Sequence, residues 1–331
     1  MASVSRRSPP QRRIDVRLAS FATGSRATYG VGVEDGIIDV AALARSAGRS
    51  FPLTLQALVE KGAEELTALA RALENFQGET IPLDQATFLP PIARPGKIVC
   101  LALNNSANAS RILSGPSTPA FFSKPASALI GHGAAIPLRQ IYGRVHPEPE
   151  LAAVIGLGGK DIAQEDAYAH VFGYTVHNDI TSPTMRTEDT YHYRAIYPDD
   201  GEGGVRYVDT HVSYPGRYKG ADGFAPMGPW IATRDAVPDP HALAISCWHD
   251  ATLITSDNTA NLTHHLPDVI AWVSSFMTLE AGDVISLGTA LSAAQKTGMA
   301  IQNVDLNRLG GTVTVEIEMI GRLTNSVSGL A

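Results

Sequence analysis

Cysteine is nearly missing from this chain: Cys100 and Cys247 are the only two among 331 residues, and both sit in apolar, strand-like contexts. That excludes a disulfide framework and a cysteine-built metal cluster, and it suits a reducing compartment, the cytoplasm. Positive charge is also in short supply. Acidic residues outnumber basic ones by 33 to 26, giving a net charge of −7 and a pI near 5.8. With no basic stripe either, a nucleic-acid partner is not expected. No run approaches the ~18 apolar residues that argue for a bilayer span, so no membrane partner is expected. Internal repeats are lacking too. What is present is ordinary for a globular core, with 44% hydrophobic and 18% charged residues. The length suits roughly two domains on a prior of about 150 residues each.

The first thirteen residues carry Arg6, Arg7, Arg12 and Arg13, a Pro9-Pro10 pair and no acid. They are too short and too poor in a helical apolar face for a transit peptide, and predict a disordered tail over 1–13. Alternating segments then begin at Ile14. Asp15 to Phe21, Thr28 to Val33 and Ile37 to Val40, with a turn signal at Glu34-Asp35-Gly36, predict a small antiparallel sheet. Helical periodicity follows over 53–59 and 64–76. Pro82, Pro90, Pro91 and Pro95 mark an extended linker, so we expect a small N-terminal domain over 14–90 and a larger one over 91–331. In the larger part, Lys97 to Leu103 predicts a strand buried on both faces. Residues 181–215 predict a long functional or disordered loop. Strands are expected over 228–233, 244–248, 251–255 and within 279–289, a helix over 266–277, and a closing strand over 311–320. Mostly strands with few helices favours a rolled, mixed β-sheet over a doubly wound one.

The chemistry is concentrated between His146 and Asp179. Glu148 and Glu150 head an apolar run, and a strand's period of two puts both carboxylates on one face. Like charges this close are costly unless a cation lies between them. Phe172 to Asp179 is a second apolar strand whose last residue brings a third carboxylate. Three carboxylates with water and substrate oxygens suit Mg2+ or Mn2+; the competing reading is a solvated strand edge and a terminal turn. Pro147 and Pro149 lack N–H groups and point to a strand entrance or sheet edge, where the carboxylates would be accessible rather than buried.

Four blocks in series then resemble the fumarylacetoacetate hydrolase superfamily over nearly the whole chain: Glu148-x-Glu150-Leu-Ala-x-Val-Ile-Gly, Gly173-Tyr-Thr-Val-x-Asn-Asp179, Lys219 with Asp222 to Trp230, and Leu279-x-x-Gly-Asp-Val-Ile-x-x-Gly-Thr289. The resemblance implies an α+β protein: a mixed β-sandwich roll preceded by a small α/β N-terminal domain, usually a homodimer, with one Mg2+ or Mn2+ per site. It also implies that Glu148, Glu150 and Asp179 bind the metal, that Lys219 is the active-site lysine, and that Thr289 holds a substrate carboxylate. A metal chelated by a 2-oxo acid polarises its carbonyl, and an ammonium beside it stabilises an enolate.

The chain departs from the family pattern in three places. Asn108 stands where a histidine that activates water is expected, and an asparagine cannot take that proton. Pro183 stands where an arginine often follows the metal-binding aspartate, which leaves Arg186 or Arg194 to substitute. The interval from Asp179 to Lys219 is longer than usual, and its His192 could replace the missing base. We therefore expect a divalent-metal hydrolase of a carbon–carbon bond in an acylpyruvate or other 1,3-diketo acid. Decarboxylation, isomerisation, tautomerisation or hydration of a 2-oxo acid on the same site is the alternative. A catalytically inactive acid-binding or scaffold dimer is the alternative of another class.

Overall fold

The computed structural model describes residues 15–34, 36–199, 201, 203–292 and 301–330. The expected tail at 1–13 and the turn residue Asp35 lie outside them. In chain order the strands are β1 (Arg17–Thr23), β2 (Arg26–Val33), β3 (Gly36–Asp39), β4 (Thr87–Phe88), β5 (Ile98–Ala102), β6 (Ala120–Lys124), β7 (Leu129–Ile130), β8 (Ile136–Arg139) and β9 (Pro149–Ile155). They continue as β10 (Val171–Asn178), β11 (Thr190–Pro198), β12 (Val205–Ser213), β13 (Ala225–Thr233), β14 (Ala244–His249), β15 (Thr252–Asn258), β16 (Val284–Thr289), β17 (Thr312–Ile317) and β18 (Gly321–Leu330). The helices are α1 (Val40–Ala47), α2 (Leu55–Lys61), α3 (Ala63–Glu74), α4 (Pro183–Glu188), α5 (Gly216–Gly220), α6 (Leu266–Phe276) and α7 (Leu306–Leu309).

A large sheet runs in the order β3-β2-β1-β13-β10-β9-β16-β5-β6, with β4 beside β1 and β7 beside β13. A second sheet, β15-β14-β17-β18-β8, packs against it. Most pairs are antiparallel, but β16 with β5, β18 with β8 and β13 with β7 are parallel. This is the mixed β roll expected from the sequence. The first three strands do not form a sheet of their own, because β1 continues the large sheet through β13, pairing Arg17 with Ala232 and Leu18 with Ile231.

Every residue of β9 and β10 is buried. One face of the large sheet contributes Leu151, Ala153, Val176 and Ile285 to a core shared with Ile245 and Val315 of the second sheet. The other face contributes Ala152, Val154 and Val284 to a core shared with Leu43, Leu58 and Leu69 of α1, α2 and α3. Covering on both faces is what makes these strands read as near-continuous apolar runs.

Three expectations are corrected. The described residues of 181–215 form α4 and then the hairpin of β11 and β12 in nine-residue register rather than a loop, with α5 just beyond. Of β11 only Ala195 is buried, so the hairpin has no apolar face turned to a core, the signal by which strands are recognised. The chain closes on β18 rather than on β17. And β9 lies between β10 and β16, not at an edge, so Pro149 marks the strand's entrance and Glu150 is buried, only 1% exposed.

Candidate metal centre and active site

Three strand ends meet at one end of the large sheet's central strands. In the ladder of β9 and β10, His177 lies opposite Glu150 and Asn178 opposite Pro149. The pairing continues just beyond the strands, where the Asp179 N–H donates to the Glu148 carbonyl at 2.8 Å and the Glu148 N–H to Asn178 Oδ1 at 3.0 Å. Glu148, Glu150 and Asp179 each offer a carboxylate oxygen, and the three oxygens lie within 4.8 Å of one another.

β16 supplies the third side through an irregularity. Its register against β9 shifts between Ser286 and Thr289. Residues three apart on a regular strand face opposite sides, and a bulge undoes that. Both hydroxyls consequently reach Glu150, with Ser286 Oγ donating to Oε2 at 2.6 Å and Thr289 Oγ1 lying 3.0 Å from Oε1. Gly288 within the irregularity has φ +98°, and a Cβ there would stand 2.9 Å from the Asn104 Cβ.

Two lysines complete the cluster. Lys219, on α5, places Nζ 2.5 Å from Asp179 Oδ2 and 2.8 Å from Glu148 Oε2, over the ring of Phe122 at 4.9 Å. Lys124, at the end of β6, is wholly buried with Nζ 2.6 Å from Asp179 Oδ1. Its ammonium donates to the carbonyls of Phe224 at 2.8 Å, Ile180 at 3.3 Å and Lys219. His146 Nε2 lies 2.9 Å from Glu148 Oε1. Burial by itself would push the Glu148 carboxyl up. The Lys219 ammonium and the His146 contact outweigh it and hold that carboxyl well below the ordinary range. Burial likewise disfavours a charged Lys219, yet Asp179, Glu148 and Glu150 hold it above the ordinary lysine value, so it is an ammonium.

The donor set fits a hard divalent cation. Three buried or half-buried carboxylates offer oxygen only, and their three negative charges exceed the two positive charges of Lys124 and Lys219.

The remaining expected residues are placed as follows. Asn108 is buried in a 3-10 turn, Ser106–Asn108, and its Oδ1 accepts from Arg111. That turn is tied to the site by Asn105, whose Nδ2 donates to the Thr289 carbonyl at 3.2 Å and to Asp257 at 3.1 Å. Pro183 is the first residue of α4, capped by Ser182, and Arg186 is exposed on that helix. His192 and Arg194 stand exposed on the hairpin. The His192 ring stacks on His211 with centroids 4.1 Å apart, and Arg194 pairs with Asp209 at 3.2 Å. Lys124, His146, His177 and Ser286 were not singled out in the sequence. Only their meeting in space marks them, since a lysine at a strand end and a histidine inside an apolar run are usually structural.

Residues 97–328 match the family profile of the fumarylacetoacetate (FAA) hydrolase C-terminal domain. An oxaloacetate tautomerase of Bos taurus, FAHD2B, described as mitochondrial, is 32% identical over 326 residues, covering 96% of this chain and 94% of its own. Maleylpyruvate hydrolase from Sphingobium, solved with manganese(II) and pyruvate, superposes with a TM-score of 0.70 at 29% identity, covering 95% of this chain and all of the other. A 5-carboxymethyl-2-hydroxymuconate delta-isomerase from Mycobacterium smegmatis superposes with a TM-score of 0.66 at 26% identity over the same shares. Hydrolase, isomerase and tautomerase names therefore all occur among its relatives. Among the described residues, no helix is long and apolar enough to cross a membrane.

Proposed function

The chain belongs to the fumarylacetoacetate hydrolase family, and from that premise we propose that it is a metal-dependent enol–keto tautomerase of a small 2-oxo acid of the oxaloacetate type. Glu148, Glu150 and Asp179 would hold the Mg2+ or Mn2+, Thr289 would bind a substrate carboxylate, and Arg186, on α4 seven residues beyond Asp179, would assist it. When bound, the metal supplies a Lewis acid for the 2-oxo group.

The observation that carries the choice of reaction is Asn108. By the family pattern it stands where a histidine would activate water, and its amide oxygen accepts from Arg111. Cleaving a carbon–carbon bond with water needs that base; moving a proton between C3 and the C2 oxygen adds no water and breaks no carbon–carbon bond. In the tautomerisation the enol gives its C2 hydroxyl proton to solvent water and C3 takes one back from it; the transient species between is an enolate, and the Lys219 ammonium meets its charge. The full-length likeness to oxaloacetate tautomerases supports this reading. The likeness to maleylpyruvate hydrolase supports hydrolysis as the second. His192 and Arg194 take no part in the proposed chemistry, because both are engaged within the exposed hairpin. The reading includes a cytoplasmic homodimer, with the dimer checked by light scattering.

The test follows the loss of the enol absorbance of oxaloacetate. The holoenzyme is expected to accelerate ketonisation, and chelation to abolish the acceleration until Mn2+ is restored. Lys219→Met should lower kcat by ~10²–10³-fold, the usual cost of one donor aimed at developing negative charge. Unchanged rates after chelation, or in Lys219→Met, would overturn the assignment.

A further inference from the structure

Glu150 is held by a chain of hydrogen bonds that reaches across the sheet. Its Oε2 accepts from Ser286 Oγ at 2.6 Å and lies 3.3 Å from the Gly288 N–H. Ser286 Oγ in turn lies 2.7 Å from Nδ1 of His177. His177 stands on β10 and Ser286 on β16, so the imidazole spans β9, the strand that carries Glu150. His177, Ser286 and Glu150 are all buried to within 1% of full burial.

The direction of the chain is fixed by hydrogen-bond accounting. A carboxylate only accepts, so Ser286 gives its one proton to Glu150. The contact with His177 must then be donated by the imidazole, which places the hydrogen on Nδ1. Nε2 of the same ring is buried with no hydrogen-bond partner among the described residues. A buried imidazole with one hydrogen bond offsets its burial poorly as a packing element, since an apolar side chain would leave nothing unpaired, and its Nδ1 also lies 3.8 Å from Glu150 Oε2. Its single bond goes to the hydroxyl that restrains Glu150.

We propose that His177 is a positioning residue for the metal centre, acting through Ser286 to lock the Glu150 carboxylate. With Oε2 taken by Ser286 and the Gly288 N–H, Oε1 keeps spare acceptor capacity for the cation and needs no reorientation to offer it. This deepens the metal reading of the site and rests on it. Groups that orient a ligand by hydrogen bonding typically contribute 10–100-fold to metal affinity.

The experiment is calorimetric titration of the metal-stripped full chain with Mn2+, alongside thermal unfolding of each metal-free variant. His177→Leu should raise the Mn2+ Kd by ~10–100-fold, and Ser286→Ala by a similar factor. The double variant should be no worse than either alone, because both break one chain. His177→Asn, whose amide N–H sits near the Nδ1 position, should bind within a few-fold of wild type, whereas His177→Gln, which reaches the Nε2 position, should not. This asparagine–glutamine contrast carries the test even should the leucine variant fail to fold, and equal affinities in the two would overturn the proposal. Wild-type affinity in His177→Leu, or costs that multiply in the double variant, would overturn it as well. If the wild-type chain itself takes up no Mn2+, the metal reading falls and this inference with it.

Discussion

Replacing Asp179 by alanine is expected to abolish metal uptake and turnover together. Asp179 closes the carboxylate trio from the end of β10, and each of its oxygens faces a lysine ammonium, Lys219 on one side and Lys124 on the other. Its loss changes the local charge from one excess negative to none and removes a third of the protein donors. Affinity for Mn2+ should fall by well over the ~100-fold typical of an outer supporting group. Turnover should fall by at least ~10³-fold, the several kcal/mol that a Lewis acid contributes. The variant also strands a buried cation, so a folding loss has to be separated from a metal loss. Glu150→Gln does this, since it keeps the shape and can still accept from Ser286 while removing only the charge. Metal titration and oxaloacetate ketonisation on both variants are the measurements. Retention of one tightly bound Mn2+ and full activity in either would remove that carboxylate from the site.

Lys124→Met is expected to produce the largest effect on stability of any single change at this corner. The ammonium is fully buried, ion-paired to Asp179, and the shared donor for carbonyls from three separate segments at Ile180, Lys219 and Phe224. Methionine fills a similar volume and supplies none of those bonds. Removing one partner of a buried ion pair costs roughly 3–5 kcal/mol, because the remaining charge stays buried without compensation. Urea unfolding should show a lower midpoint at unchanged m. Because Lys124 ties the end of β10 to α5, the folded fraction should also bind Mn2+ more weakly. A variant that unfolds with the wild type would mean that Lys219 alone satisfies Asp179.

Much of this corner is written in local pattern. Glu148 and Glu150 could be put on one face because a strand alternates, and Asp179 could be put beside them because a second apolar run ends there. Thr289 and Lys219 came from the order of motif blocks, not from any local physical signal. Their placement around the carboxylates rests on β16 and α5 arriving from distant parts of the chain. Burial of Glu150 is not legible locally, because two prolines suggest an edge. Pro149 instead opens a central strand, where its missing N–H falls at the strand's first residue. The hairpin of β11 and β12 was hidden because Tyr191 and Tyr193 alternate with His192 and Arg194, yet neither face is buried. α1 is hidden in the sequence because it starts at Val40, directly after β3, with Asp39 serving both as the strand's last residue and as the N-cap. Lys124 and His177 were illegible for a different reason: their roles consist of tertiary hydrogen bonds between strands far apart in sequence, which no spacing announces.

On the proposed function, this site shifts a proton and does not add water across a carbon–carbon bond. The most direct measurement is to give the Mn2+-loaded wild-type protein enol-oxaloacetate and acetylpyruvate side by side and to identify the products by NMR. The expected result is rapid, chelator-sensitive formation of keto-oxaloacetate with its four carbons intact, and no release of acetate and pyruvate from acetylpyruvate. Metal-dependent cleavage of acetylpyruvate would contradict it, and would mean that a base other than residue 108 activates water in this site.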